Sequence, residues 1–219
     1  MQRPLTPVTA TNMIILIGNQ KGGAGKSTVT LLFANYLTQA KNKSVTIIDF
    51  DYQQSIAQKY ERAKLLENTE PYTVVAASLE HFPGMKNIMC SDKAQIVLVD
   101  LPGKLDDDGL IAVFEAADLV ICPFSYDEFS FESTVLFSVV LRKINEKVPL
   151  IYVPNRVKAN VKYETQEDVN GQLAKLGTVT TPLPDRIDFQ RVTTFATPLA
   201  ILPAVLNAFD TIYKQHFHE

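Results

Sequence analysis

The sequence predicts an α/β protein built on a mostly parallel, doubly wound sheet that is flanked by helices. Two features of the 219 residues lead to this fold class. Short apolar segments alternate along the chain with segments of helical periodicity, a pattern typical of parallel strands joined by crossover helices. Several apolar segments also end in glycine, aspartate or asparagine, which are expected at the carboxyl edge of such a sheet, where ligands bind.

The composition indicates one globular domain. Hydrophobic residues make up 46% of the chain and charged residues 21%, which suits a sizeable core. We expect residues 1–12 to form an N-terminal tail and residues 13–219 a single domain. The tail has no apolar signal sequence, and no window approaches 18 apolar residues, so we expect neither a signal peptide nor a membrane span.

The net charge and the cysteines narrow the function classes. A formal charge of -3 excludes a uniformly basic nucleic-acid binder, although a local basic face is compatible with it. Cys90 and Cys122 are too far apart to suggest a metal cluster or a disulfide framework. We therefore expect a reducing, cytoplasmic setting.

The most informative segment is 18–28, with the sequence GNQKGGAGKST. It follows an apolar segment at 13–17 and precedes a helical pattern over 26–40, so it indicates a strand, a glycine turn and a helix. Glycines let successive backbone N–H groups point to one place beside the positive end of the helix, which favours a polyphosphate. A glycine-rich turn without a ligand is the alternative.

In a phosphate loop of this kind, Lys26 reaches the β- and γ-phosphates and the Ser27 hydroxyl is placed on Mg²⁺. The residues predicted to bind the nucleotide here are Gly22, Gly23, Ala24, Gly25, Lys26, Ser27 and Thr28.

The loop departs from the general pattern G-x-x-x-x-G-K-[ST], because Gln20 stands at the first glycine position and Lys21 follows it. The form K-G-G-x-G-K-[ST] resembles the deviant Walker A motif of the ParA/MinD ATPases. The resemblance implies a P-loop NTPase fold of the deviant Walker A group, with ATP and Mg²⁺ as cofactors and a homodimer that forms on ATP binding. It also implies that Lys21 reaches across the dimer to the ATP of the other subunit.

Two acids follow a strand predicted at 44–49. The segment 49–55, DFDYQQS, resembles the D-x-D-P-Q-x-S segment of the family, with Tyr52 in place of proline. The resemblance implies that Asp51 orients or activates the water that attacks the γ-phosphate and that Asp49 supports the Mg²⁺ site. Either acid could instead cap the helix predicted at about 53–66.

A further acid ends the segment QIVLVD at 95–100, which has the Walker B form. Asp100 is placed there to hold Mg²⁺ opposite Ser27. The following residues, Leu101-Pro102-Gly103, resemble the switch segment of the family. The segment 116–125, AADLVICPFS, resembles its A-A-D-x-V-x-x-P strand and extends the similarity well beyond the loop.

Two helices are predicted from their apolar spacing. The helix at about 129–146 is expected to pack against the core and to offer no partner surface. A final helix that begins at Pro203 is expected to pack in the same way, since it lacks the basic face of a membrane anchor. The apolar residues of the first helix are Phe131, Val135, Leu136, Val139, Val140 and Ile144.

The resemblance implies that two residues contact the base of the nucleotide. Asn155 ends a strand predicted at 148–156, where the wider group uses an asparagine for adenine. Pro184 lies in a segment that looks like the loop packed beside the base. Asn155 could instead be a plain turn residue.

A DNA surface is predicted from the basic residues of the late segment. An acidic chain binds the DNA backbone only if such residues gather on one face, and they could equally be solvated surface residues. The candidates are Arg156, Lys158, Lys162, Arg186 and Arg191.

Together these features imply a Mg²⁺-dependent ATPase, converting ATP to ADP and phosphate, that is closest to a small ParA without an N-terminal helix-turn-helix domain. Its expected role is a dimerisation switch for DNA partition or cargo positioning. The implied partners are non-specific DNA and a ParB-like protein that stimulates hydrolysis, and the implied location is cytoplasmic and nucleoid-associated. The alternatives are a MinD-like ATPase on a membrane or protein scaffold and an ATP-dependent metabolic ligase of the same fold.

Overall fold

A computed structural model describes residues 12–65, 69–89, 95–159, 161 and 163–217. The predicted tail, apart from Asn12, lies outside the described residues, as do Cys90 and Lys162. In chain order the strands are β1 (Met13–Ile17), β2 (Ser44–Asp49), β3 (Thr73–Ala76), β4 (Gln95–Asp100), β5 (Leu119–Phe124), β6 (Leu150–Pro154) and β7 (Thr178–Val179). The α-helices are α1 (Lys26–Asn35), α2 (Ser55–Leu65), α3 (Phe82–Met89), α4 (Gly109–Glu115), α5 (Glu128–Ile144), α6 (Gln166–Leu173) and α7 (Leu202–His216).

The strands form one seven-stranded sheet in the order β3-β2-β4-β1-β5-β6-β7. Every pairing between these strands is parallel. The predicted α/β fold class is therefore confirmed, and the sheet is parallel throughout the described strands. After β1 the chain moves toward β2, and after β4 it crosses to β5 on the other side of β1. A crevice at the carboxyl ends of such central strands is where ligands bind in open α/β sheets.

Helices cover both faces of the sheet because its central strands are apolar on both sides. In β1, Ile15 and Ile17 pack into one core cluster, together with α1, α2 and α7. Ile14 and Leu16 point the other way and pack with α3, α4, α5 and α6. This alternation follows from the two-residue period of a strand.

Register places the two predicted metal-binding acids side by side. Asp100 of β4 pairs with Ile17, the last residue of β1, and with Asp49 of β2. The loop after β1 therefore begins next to both carboxylates, since parallel strands end at the same edge of the sheet.

Two helix predictions are corrected in part. The helix expected at 26–40 is α-helical only to Asn35 and continues as one π-helical turn, Tyr36–Ala40. The expectation that α5 packs against the core is wrong for Leu136 and Val139, which are 49% and 43% exposed. The spacing suggested one broad apolar stripe, but the buried positions of α5 include the polar residues Ser130, Thr134 and Ser138.

The last helix packs as predicted. Val205, Phe209, Ile212 and Tyr213 of α7 are buried in the core cluster that also contains α1. Among the described residues, no helix has the length and apolar character needed to cross a bilayer.

Candidate nucleotide-binding site

The loop between β1 and α1 is built for close approach to an anion. Gly23 and Gly25 have φ angles of 75° and 95°, a left-handed conformation that favours glycine. Gly25 occupies the N-cap position of α1, and none of the described side chains caps this helix. The first N–H groups of α1 are therefore available to a ligand.

The structure leaves no room for a side chain at Gly25. A Cβ atom there would lie 2.2 Å from Asn155 Nδ2. That amide donates to the carbonyl oxygen of Ala24 at 2.9 Å, so the end of β6 fixes the end of the loop. Two sequence-predicted nucleotide-binding positions, separated by 130 residues, are thus brought into contact.

We expect Gly25→Ala to destabilise the protein by about 1–3 kcal/mol, because alanine would be strained at this φ and would displace Asn155. The nucleotide site would be distorted as well. Gly22→Ala is the matched control in the same loop, since a Cβ atom at Gly22 meets nothing within 4 Å. Urea unfolding of both variants measures the difference, and equal stability of the two variants would contradict the account.

The two lysines of the loop lie in different surroundings. Lys26 is 6% exposed, and a Cβ atom at Gly103 would lie 3.4 Å from its Nζ. The segment resembling a switch therefore packs against the loop lysine. Lys21 points away, and its Nζ is 2.5 Å from Asp127 Oδ1 with side-chain exposures of 31% and 47%.

Asp127 combines two tasks. It caps α5 by accepting the N–H of Ser130, and it pairs with Lys21. Although partial burial acts in the opposite direction, hydrogen bonds from Lys21, Ser125 and Ser130 hold the pKa of Asp127 below its usual value. A half-exposed ion pair contributes only about 0–1 kcal/mol, so Lys21 can leave Asp127 at little cost.

Asn19 holds the start of the loop. Its side chain is buried, and its Nδ2 donates to the carbonyl oxygen of Pro123 and to Thr134 Oγ1, both at 2.9 Å. Its Oδ1 accepts the N–H of Lys21. The side chain thus connects the loop to β5 and α5 and fixes the backbone from which Lys21 extends.

Ser27 and Asp100, both predicted as metal ligands, meet directly. Ser27 Oγ donates to Asp100 Oδ2 at 2.7 Å, and Thr30 Oγ1 donates to Asp100 Oδ1 at 2.9 Å. Burial raises the pKa of Asp100 to about 7, and the neighbouring Asp49 acts in the same direction. A cation beside Asp100 would favour the carboxylate, and a hydroxyl with a carboxylate is a hard-oxygen pair that suits Mg²⁺.

Asp49 is placed beside Asp100 but is already occupied. Its Oδ1 accepts the N–H of Asp51, and its Oδ2 accepts the N–H groups of Ile56 and Ala57. Burial raises the pKa of Asp49, and these backbone hydrogen bonds oppose the rise. The structure therefore shows the helix-capping contact that the sequence offered as the alternative, while the metal role of Asp49 stays a prediction.

Asp51 lies at the rim of a cavity of about 190 Å³, the loop cavity. Its Oδ1 accepts the N–H of Gln53 at 2.9 Å, which leaves Oδ2 for other partners. Tyr52, at the position where the resemblance has proline, is 71% exposed. The loop cavity is lined by Gly23, Gly25, Lys26, Ser27, Thr28, Asp51, Gln53, Ser55 and Arg156.

A second cavity of about 240 Å³, the Asn155 cavity, adjoins the first. Its lining residues are Gly25, Thr28, Asn155, Arg156, Pro184, Asp185, Arg186, Phe189 and Gln190. Gly25, Thr28 and Arg156 line both cavities. Asn155 uses one amide hydrogen on Ala24 and one lone pair on the N–H of Arg156, so one donor and one acceptor position are left for a base.

The structure places the basic residues that were predicted to bind DNA in different surroundings. Arg156 lines both cavities and Arg186 lines the second. Arg186 and Arg191 each lie near a carboxylate oxygen of Asp188, at 3.4 and 3.7 Å. Lys158 is exposed. Arg191 borders a separate cavity together with Lys59 and Arg62, so the surface beside it carries more positive charge than the sequence indicated.

Sequence reasoning missed Asn19 and Asp127. Asn19 lies within the predicted loop at 18–28, but nothing in the local sequence indicates that its amide connects two other elements. For Asp127 a signal exists, because an acid between a strand and the helix that follows it is a common N-cap.

The loop, the carboxylates and the parallel sheet define a P-loop nucleotide-binding protein with a deviant Walker A motif. The family model for the CobQ/CobB/MinD/ParA nucleotide-binding domain matches residues 15–199. The chain belongs to this family, as the sequence motifs predicted. No curated protein sequence is significantly similar to the chain.

Solved structures share the fold at low sequence identity. A Borrelia burgdorferi B31 protein assigned to plasmid partition, with AMPPNP bound, has a TM-score of 0.76 and 22% identity, over 94% of this chain and 100% of that one. MinD from Aquifex aeolicus has a TM-score of 0.71 and 19% identity, over 94% and 98%. An ATP complex of a Cyanothece McdA variant has a TM-score of 0.69 and 14% identity, over 94% and 96%.

Proposed function

We propose that this protein is a Mg²⁺-dependent ATPase that closes into a homodimer when it binds ATP and opens again on hydrolysis. The observation that carries the proposal is the contrast between the two loop lysines. Lys26 is buried beside Gly103, where it serves its own nucleotide, while Lys21 extends from the same loop toward solvent and is held only by a weak pair with Asp127. A lysine so placed is free to reach a second subunit.

The nucleotide occupies the two adjoining cavities in this proposal. Phosphates lie at the start of α1, where Gly22, Gly23, Ala24, Gly25, Ser27 and Thr28 offer backbone N–H groups beside Lys26. The base lies in the Asn155 cavity with Pro184. Mg²⁺, held by Ser27 and Asp100, would neutralise charge on the β- and γ-phosphates. Positioning and charge neutralisation account for most of the catalysis of phosphoryl transfer.

Analytical ultracentrifugation tests the switch. We expect a monomer in ADP and a dimer in a non-hydrolysable ATP analogue with Mg²⁺. A wild-type protein that binds the analogue and stays monomeric would contradict the proposed function.

The closed dimer is proposed to bind DNA without sequence preference, in a cytoplasmic, nucleoid-associated partition or positioning system with a ParB-like stimulating protein. DNA binding through Arg186 and Arg191 is supported by the local positive charge, since Arg191 borders the same cavity as Lys59 and Arg62. Each monomer would bind weakly, because Asp188 offsets part of the charge. The dimer presents two such surfaces and gains avidity.

We expect the Arg186→Ala/Arg191→Ala double variant to lose most of the ATP-dependent retention on random duplex DNA at low salt. The salt dependence should also become shallower, because fewer counterions are released. Lys86→Ala/Lys175→Ala is the matched control, since it removes two positive charges on the opposite face of the sheet, one from α3 and one just after α6. Equal retention by the two double variants would exclude the arginine pair from a DNA surface.

A metabolic ATP-dependent ligase is the second candidate, and one observation favours it. A cavity of about 590 Å³ adjoins Asp51 and has the size of a small-molecule site. It is bordered by Glu80, His81 and Asp107, so a cationic substrate would suit it. ATPase activity measured with and without DNA separates the candidates, because only the partition ATPase should be stimulated by DNA.

A further inference from the structure

Helix α5 carries a row of exposed apolar side chains. Its inner side is buried, whereas Phe129, Leu136 and Val139 are 73%, 49% and 43% exposed. Their spacings of seven and three residues place them on one side of the helix. Such a row costs free energy in water unless something covers it.

Two charged residues lie on the same side of α5 as the apolar row. Glu132 lies between Phe129 and Leu136, and Lys143 follows Val139; both are exposed. Successive members of the set 129, 132, 136, 139 and 143 are three or four residues apart, so all five share one stripe. We call this stripe the α5 face. Its acid lies in the N-terminal half and its base in the C-terminal half.

The α5 face is held rigidly by the helices on either side. Asn145 Nδ2 donates to the carbonyl oxygens of Phe114 and Ala117 at the end of α4. Arg142 donates to the carbonyl oxygen of Leu176, just after α6, and Tyr126 donates to Asn170 of α6. A surface fixed in this way loses little conformational entropy on binding.

We propose that the α5 face binds the α5 face of a second copy, with the two helices antiparallel. In this arrangement Glu132 faces Lys143 of the partner subunit, and Leu136 faces Val139 of the partner subunit. Positions 132 and 143 are equally distant from the point between residues 137 and 138, and so are positions 136 and 139. A single twofold axis through that point therefore produces both pairs, as an isologous interface requires. A parallel arrangement would instead oppose Glu132 with Glu132 and Lys143 with Lys143.

The centre of the contact lies apart from Asp127 and Lys21. Leu136 lies nine residues beyond Asp127, about 13 Å along the helix axis, so the contact needs neither ATP nor Lys21. One helix face is smaller than the roughly 800 Å² per partner of a stable interface. We therefore expect a weak, reversible association that would join ATP-closed dimers to one another when both contacts form.

Sedimentation equilibrium of the full chain without nucleotide tests the proposal. Wild type should show a concentration-dependent monomer–dimer equilibrium. Glu132→Lys alone and Lys143→Glu alone should each raise the dissociation constant about tenfold, because each change converts two attractive pairs into repulsive ones. The double variant should restore it, and Leu136→Asp should abolish the association. Glu61→Lys on α2, a matched control on the opposite face of the sheet, should have no effect.

Three results would overturn the proposal. Wild type could stay monomeric up to its solubility limit. The control could weaken association as much as the α5 variants do, which would indicate a general effect of charge. The single variants could weaken association without restoration in the double variant, which would exclude the antiparallel pairing. Failure of ATP-dependent dimerisation leaves this test intact, since no nucleotide is present in it.

Discussion

Lys26→Ala is expected to abolish ATP binding at working concentrations. Lys26 is buried at the start of α1, and in the proposed complex its Nζ donates to two phosphates. Hydrogen bonds to charged groups contribute about 1.5–3 kcal/mol each, so their loss should weaken binding at least a hundredfold. Isothermal titration calorimetry with an ATP analogue and Mg²⁺ measures the change. Lys175→Ala, at an exposed position just after α6, should bind like wild type.

Lys21→Ala should separate binding from dimerisation. This variant keeps the phosphate cradle and should bind ATP with nearly wild-type affinity, yet stay monomeric. A failure to dimerise could also follow from losing the ion pair with Asp127. Asp127→Asn is the control for that effect, because it removes the charge of the pair while its amide oxygen can still cap α5. This variant should dimerise normally.

Two results would contradict this account of the lysines. If Lys26→Ala binds ATP like wild type, the loop is a glycine turn without the proposed role. If Lys21→Ala dimerises like wild type, the extra lysine has no function across the dimer and the deviant loop is only a sequence feature of the family.

Much of the fold was predictable because the strands are locally encoded. Segments such as 44–49 and 95–100 are rich in apolar and β-branched residues and end in an acid, and the structure gives β2 and β4 these same bounds. Strands buried on both faces have this pattern regardless of their neighbours. The loop was recognisable for a similar reason, since the positive φ angles at Gly23 and Gly25 require residues that tolerate them.

The parts that were missed depend on contacts between distant segments. The side chain of Asn19 joins the loop to Pro123 and Thr134, and no local pattern encodes that bridge. The exposure of Leu136 was missed because helical spacing shows which residues share a side, but not how wide the buried side is. Polar residues such as Thr134 can occupy the buried side when their hydroxyls bond to the preceding turn.

The second large effect is expected at Asp51. Asp51→Ala should still bind ATP and should accumulate as the closed dimer, because the phosphate cradle is intact while the carboxylate that orients the attacking water is lost. Positioned proton acceptors contribute about 10²–10⁴-fold to such reactions, so turnover should fall by at least a hundredfold. Steady-state phosphate release and sedimentation with ATP measure both quantities.

The structural alternative for Asp51 is that it only holds its own loop, since Oδ1 accepts the N–H of Gln53. Asp51→Asn distinguishes the two roles, because asparagine keeps that acceptor and removes the carboxylate. Asp107→Asn is the matched control, since Asp107 Oδ1 accepts the N–H of Gly109 in the same way. If Asp51 takes part in catalysis, the turnover of Asp51→Asn should be nearly as low as that of Asp51→Ala, while Asp107→Asn keeps normal turnover. Normal turnover in Asp51→Asn would assign Asp51 to the loop alone and leave the attacking water to be oriented by another group.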